Sequence, residues 1–263
     1  MSKSMQVIVR WCLFALLLVA APASAQERIG VVLMHGKWGT AGGPIQPLAD
    51  TLRARNFLVA TPLMPWGRGR DYDAGYPQAI EQVNAEIRKL REQGATRIVV
   101  AGHSFGANAA LAYGASAGGI DGIAALAPGH TPDLGGFRKR VSPSVEKARG
   151  MIAAGKGDER ASFEDLNQGK TATISTTPHT YMSYFDPEGL GAMPRSAAAI
   201  KTPTPLLWVI GTSDSLHSAG PEYAFGRAPA HAKSKYLVVE SDHVGTPRVA
   251  AADTASWIDS LAR

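Results

Sequence analysis

The chain has 263 residues, 45% hydrophobic and 19% charged. That length is ample for a buried core in one large domain or two small ones, and the balance excludes a disordered or fibrous chain. Twenty-seven Lys and Arg against 22 Asp and Glu give a net charge of only +5, and the densest basic cluster is the short stretch Phe137-Arg138-Lys139-Arg140, so no nucleic-acid partner is expected.

Residues 1–25 stand apart from the rest. Lys3 and Arg10 lead into an apolar run, WCLFALLLVAA (11–21), and Ala23-Ser24-Ala25 has the small-x-small form of a cleavage site. The run is shorter than the roughly 20 residues a spanning helix needs. This is the pattern of a secretory signal peptide cut after Ala25, with an uncleaved anchor as the alternative. Cleavage would leave a domain of residues 26–263 in the periplasm or outside the cell, with no stable membrane anchor. It would remove two basic residues, leaving 25 against 22 and a net charge of +3. The single cysteine, Cys12, lies in this segment. The mature chain would then have no disulfide and no thiolate for catalysis or metal binding.

Beyond it, RIGVVLM (28–34) is a continuous apolar run, which predicts a strand buried on both faces. A helix follows over 44–56 and a short strand over 57–61, stopped by Pro62. Residues 76–94 form a strongly amphipathic helix with Ile80, Val83, Ile87 and Leu90 on one face and Gly94 as its stop. RIVVAG (97–102) is a strand, 104–116 an Ala-rich helix, and GIAALAP (122–128) a strand. Strands are again expected at 205–211 and 234–240, and a helix at 247–262. Alternation of this kind predicts an α/β fold, a mostly parallel six-stranded sheet flanked by helices. It breaks between about 129 and 204. That interval is expected to be a small helical cap inserted over the carboxyl ends of the strands, where open α/β sheets bind ligands.

Two copies of Gly-x-Ser-x-Gly occur, Gly102-His103-Ser104-Phe105-Gly106 and Gly114-Ala115-Ser116-Ala117-Gly118. The first joins a strand to a helix, as a nucleophile elbow must, and the helix N-terminus there favours developing negative charge. The second closes a helix with no strand before it, and reads as a stop and turn. Ser104 is therefore the candidate nucleophile. A serine hydroxyl needs a base and an orienting acid, which follow such an elbow in the order acid, then His. Asp214 lies just past the fifth strand and His243 just past the sixth. Asp242 and, inside the insertion, Asp186 are the alternatives for the acid. Of the other histidines, His103 should face away from the hydroxyl, His130 and His179 lie where a substrate could reach them, and His217 and His231 are assigned no role. No pair has metal-ligand spacing such as HExxH, so neither metal nor cofactor is expected. Two backbone N–H groups should hold an oxyanion: Phe105, after the nucleophile, and Lys37 in the loop HGKWGT (35–40), with Trp38 as the alternative.

The segments VVLMHGKWG, VVAGHSFGA, WVIGTSD and SDHVGTP together resemble the α/β-hydrolase superfamily, in a compact version that starts at the strand before the oxyanion loop. The resemblance implies the Ser104–His243–Asp214 triad and acyl-transfer chemistry on a small-molecule acyl substrate. Serine at position 104 argues against the branches with an aspartate nucleophile. A carboxylesterase is the leading expectation. A peptidase or thioesterase of the same fold and a catalytically idle binding module are the alternatives. Phe163, Tyr181, Met182, Tyr184, Phe185 and Met193 are expected in part to line an apolar cleft, and in part to seat the cap on the sheet.

Overall fold

Strand and helix alternate from the start of residues 27–262, which a computed structural model describes. The expected signal segment and Cys12 lie outside the described residues. The elements run β1 (Ile29–Met34), α1 (Gln46–Ala54), β2 (Leu58–Ala60), α2 (Tyr76–Glu92), β3 (Arg97–His103), α3 (Phe105–Ser116), β4 (Gly122–Leu126), α4 (Gly135–Ala153), β5 (Ala161–Asn167), β6 (Lys170–Thr176), α5 (Pro178–Phe185), α6 (Met193–Ala198), β7 (Leu206–Gly211), β8 (Lys235–Val239), α7 (Thr246–Val249) and α8 (Ala251–Ser260). Six strands form one sheet in the order β2-β1-β3-β4-β7-β8, every neighbouring pair parallel.

The sheet separates two cores because successive residues of a strand point to opposite faces. Val31, Leu33, Val99 and Ala101 pack with Leu48 and Leu52 of α1 and Ala255 and Ile258 of α8. Val32, Met34, Ile98 and Val100 pack with Val83 and Ile87 of α2 and the length of α3. Strands covered on both sides must be apolar throughout, which is why their sequences show no alternation.

The segment between β4 and β7 holds the expected helical pieces, α4, α5 and α6, and one element the sequence reading did not anticipate. β5 and β6 form an antiparallel hairpin, with Phe163 opposite Ile174 and Asp165 opposite Ala172. Gln168 and Gly169 at its tip both have positive φ, 49° and 75°, as a two-residue hairpin turn of matching twist requires. The inward residues Phe163, Asp165, Ile174 and Thr176 are buried. Asp165 breaks the apolar half of that alternation, so the strand is not legible from hydrophobic pattern alone.

Candidate active site

The elbow is built by close backbone approach. A Cβ on Gly102 would sit 2.2 Å from the Gly106 carbonyl, and one on Gly106 would sit 2.4 Å from Met34 O. Only glycine lets β3 turn so tightly into α3 while α3 presses on β1. Ser104 between them has φ 56° and ψ −119°, a strained backbone for a residue with a side chain. In the second motif copy, Gly114 faces the Ile123 side chain and Gly118 has φ 67°, which is helix packing and termination.

Two loops at the carboxyl ends of β7 and β8 are zipped together by Thr212 N–H to Val239 O (2.9 Å) and Ser213 N–H to Ser241 O (3.0 Å). This pairing brings the residues after them face to face. His243 Nδ1 lies 2.7 Å from Asp214 Oδ2, and His243 Nε2 lies 2.9 Å from Ser104 Oγ. A carboxylate only accepts, so Nδ1–H donates to Asp214 and Nε2 is left to accept from the Ser104 hydroxyl. The second carboxylate oxygen of Asp214 accepts the Leu216 N–H at 2.9 Å. All three side chains are buried, which strengthens their hydrogen bonds relative to water.

The alternative acids are occupied elsewhere. Asp242 accepts the Gly245 N–H, and Asp186 is a surface partner of Arg149. His179 pairs with Asp158 on the surface. His130 is fully buried against the Phe105 ring and donates from Nε2 to Tyr184 O at 2.8 Å, so it does not face a substrate. His103 lines the same cavity as Ser104, and it has a role that the sequence reading missed. Its Nε2–H donates to the backbone carbonyl of His243 at 2.9 Å, tethering the loop that carries the imidazole. Burial, and then the neighbouring His243, lower its pKa to about 4, so it holds that bond as a neutral ring.

The loop after β1 crosses over the elbow, where a Cβ on Gly36 would lie 2.9 Å from Ser104 Cβ. The Gly36 carbonyl accepts from Gly39 N–H at 3.1 Å and from His35 Nδ1 at 2.8 Å. His35 Nε2 in turn accepts the Met64 N–H at 3.0 Å. A trans peptide places its N–H opposite its carbonyl, so the Lys37 N–H is directed away from those partners. The Trp38 N–H donates to Trp66 O at 2.8 Å and is already engaged. Phe105 is the first residue of α3, where a helix leaves N–H groups unpaired.

A 120 Å³ cavity opens over Ser104, lined by Gly36, Lys37, Ile45 and Val244 and overhung by Asn167 and Gln168 of the hairpin tip. Gly129, after β4, lies against the relay, where a Cβ would sit 2.7 Å from His243 Cε1 and 3.2 Å from Ser104 Oγ. Position 129 was legible only as the start of the insertion. The expected aromatic cleft is not part of this cavity. Phe163, Tyr181, Tyr184, Phe185 and Met193 are buried in the core and Met182 packs against it, so they seat the cap.

A family model described as the alpha/beta hydrolase family matches residues 31–256. The chain belongs to the alpha/beta hydrolase family. Solved structures of other hydrolases share its fold at low identity. A metagenome-derived lipolytic enzyme of the LipS and LipT study is 18% identical, with a TM-score of 0.62 over 89% of this chain and 94% of its own. The monoacylglycerol lipase of Paleococcus ferrophilus is 19% identical, with a TM-score of 0.61 over 88% and 94%. A thermostable carboxyl esterase from Bacillus coagulans is 15% identical, with a TM-score of 0.62 over 90% and 92%. No curated protein matches the chain by sequence. Within this hydrolase fold, the elbow, the two zipped loops and the loop after β1 all meet at the carboxyl edge of the sheet.

Proposed function

We propose that this hydrolase is a serine carboxylesterase acting on short acyl esters. The observation that carries the reading is the unbroken relay from Asp214 through His243 to Ser104, at 2.7 and 2.9 Å. Ser104 Oγ attacks the ester carbonyl as its proton passes to His243 Nε2. Asp214 keeps the imidazole in the accepting tautomer and stabilises the imidazolium. The carbonyl oxygen, now negative, takes the N–H groups of Lys37 and Phe105. Loss of such a donor typically costs about 3 kcal/mol of transition-state stabilisation. Collapse expels the alcohol, which receives the proton from His243. Water then repeats the sequence on the acyl-enzyme and returns the free acid and Ser104.

The named neighbours support ester chemistry, since a lipase and a carboxyl esterase are among them. The size of the cavity supports a small acyl group, because 120 Å³ lies well below the roughly 300–1,000 Å³ of common ligand pockets. Residues 1–25 support export of the enzyme, and N-terminal sequencing of the secreted form should then begin at Gln26. The test of substrate class is kcat/KM across p-nitrophenyl esters. Activity should peak between acetate and butyrate, fall on octanoate, and vanish in Ser104→Ala. A steady rise to palmitate with activation at an oil surface would overturn the short-acyl reading. Turnover unchanged in Ser104→Ala would overturn the nucleophile.

A further inference from the structure

The interior holds a buried ion pair that the relay does not use. Lys37 Nζ and an Asp165 oxygen make a hydrogen-bonded pair with almost no exposure on either side. Nζ also donates to Leu166 O at 3.1 Å, and Tyr72 OH donates to the other Asp165 oxygen at 2.7 Å. Three rings surround the ammonium, Phe105, Phe137 and Phe185, at 5.3, 4.9 and 4.9 Å. Burial pushes the Lys37 ammonium down in pKa, and Asp165 pulls it back. Replacing such a cluster by apolar side chains is often neutral or stabilising, so stability alone gives no reason for it.

Its connections do give a reason. Lys37 lines the cavity over Ser104 and is one proposed oxyanion donor, and Phe105, whose ring centroid lies 5.3 Å from the ammonium, is the other. Both oxyanion residues thus send their side chains into one cluster. That cluster is anchored on the cap. Asp165 belongs to β5, while Thr176 of β6 donates to the Tyr72 carbonyl at 2.7 Å. Tyr72 is held by both strands of the hairpin. It also sits in a strained pair, Asp71 at φ 46° and Tyr72 at φ 59°, the kind of strain that persists only where the surroundings over-determine it.

We propose that Asp165 and Tyr72 are positioning residues, through which the cap hairpin fixes the side chain of Lys37 and so sets the oxyanion backbone against the nucleophile. The inference rests on the reading of Lys37 and Phe105 as oxyanion donors. Misplacing such groups by about 1 Å can cost about 10²-fold in rate, with little effect on ground-state binding.

The experiment uses the variant Lys37→Met/Asp165→Leu/Tyr72→Phe, which replaces the polar cluster by apolar side chains and leaves no buried charge unpaired. Melting temperature, kcat and KM on p-nitrophenyl acetate, and inhibition by a trifluoromethyl ketone are measured beside wild type. The ketone forms a tetrahedral adduct whose oxyanion occupies the same site. A folded variant with KM changed by less than about twofold, and kcat and ketone affinity both lower by roughly 10²-fold, is the expected result. A folded variant with kcat within about threefold of wild type overturns the proposal. If the triple variant does not fold, Tyr72→Phe and Asp165→Asn decide by the same split. A matched loss in kcat and kcat/KM supports positioning, and any other split overturns it. Wild type that neither cleaves ester nor binds the ketone would overturn the donor assignment, and the proposal with it.

Discussion

Asp242 adjoins His243 in the chain, yet its carboxylate accepts the Gly245 N–H at 2.7 Å and closes the turn that leads into α7. Asp214, far away in sequence, is the one that meets the ring. Asp214→Asn should therefore fold normally and lose about 10⁴-fold in kcat, because an amide holds the wrong tautomer. Asp242→Asn should keep most of its turnover. Stopped-flow or steady-state rates on p-nitrophenyl acetate distinguish the two, and the reverse ranking would reassign the acid. The histidines make a second prediction. His35, His103 and His130 all have pKa values lowered chiefly by burial, His103 to about 4. The unfolded chain then binds protons first, so their stabilising contribution is complete above pH 6.5 and is lost as pH falls below it, for His103 down to about 4. His103 alone accounts for a loss on the order of 3 kcal/mol over that window. Melting temperature should fall steadily from pH 6.5 to pH 4, and more shallowly in His103→Phe. A flat profile, or an identical slope in the variant, would contradict neutral burial.

At the scale of elements, what the sequence made legible depended on how each segment is covered. β1, β3, β4 and β7 are wrapped on both faces, and an unbroken apolar run announces that directly. The elbow was legible because two glycines at fixed spacing stood between such a strand and a helix. The hairpin was not, since Asp165 occupies an inward position that hydrophobic patterning reserves for an apolar residue. Its compensation lies in Lys37 and Tyr72, about a hundred residues upstream, and no local pattern reports a partner that distant. A trace was present in the β-branched run Lys170–Thr176 and in Gln168-Gly169 as turn residues. The contrast between the two motif copies can be tested on their glycines. Gly106→Ala drives a methyl to 2.4 Å from the Met34 carbonyl, a backbone atom that cannot turn aside, whereas Gly114→Ala meets the end of the Ile123 side chain at 2.6 Å. Denaturant unfolding should show the first variant losing at least about 3 kcal/mol and the second markedly less. Equal losses would show that the elbow has slack it should not have.

Across the whole molecule, the parallel sheet keeps its chemistry on one edge. β3 delivers Ser104, β7 delivers Asp214 and β8 delivers His243, and the order β2-β1-β3-β4-β7-β8 brings their carboxyl ends together. The cap adds the hairpin tip over the cavity and, through Asp165, a hold on the loop after β1. Alternating strands and helices announced the sheet, but the narrowness of the cavity comes from the cap's folded path, which the sequence reading placed without resolving. Activation of Ser104 as a nucleophile is open to covalent trapping. The protein is treated with a fluorophosphonate, digested, and examined by mass spectrometry. One equivalent of label is predicted on the peptide containing Ser104, absent in Ser104→Ala and much slower to form in His243→Ala. A folded wild-type protein that remains unlabelled, or that carries its label on another residue such as Ser116, would contradict the account.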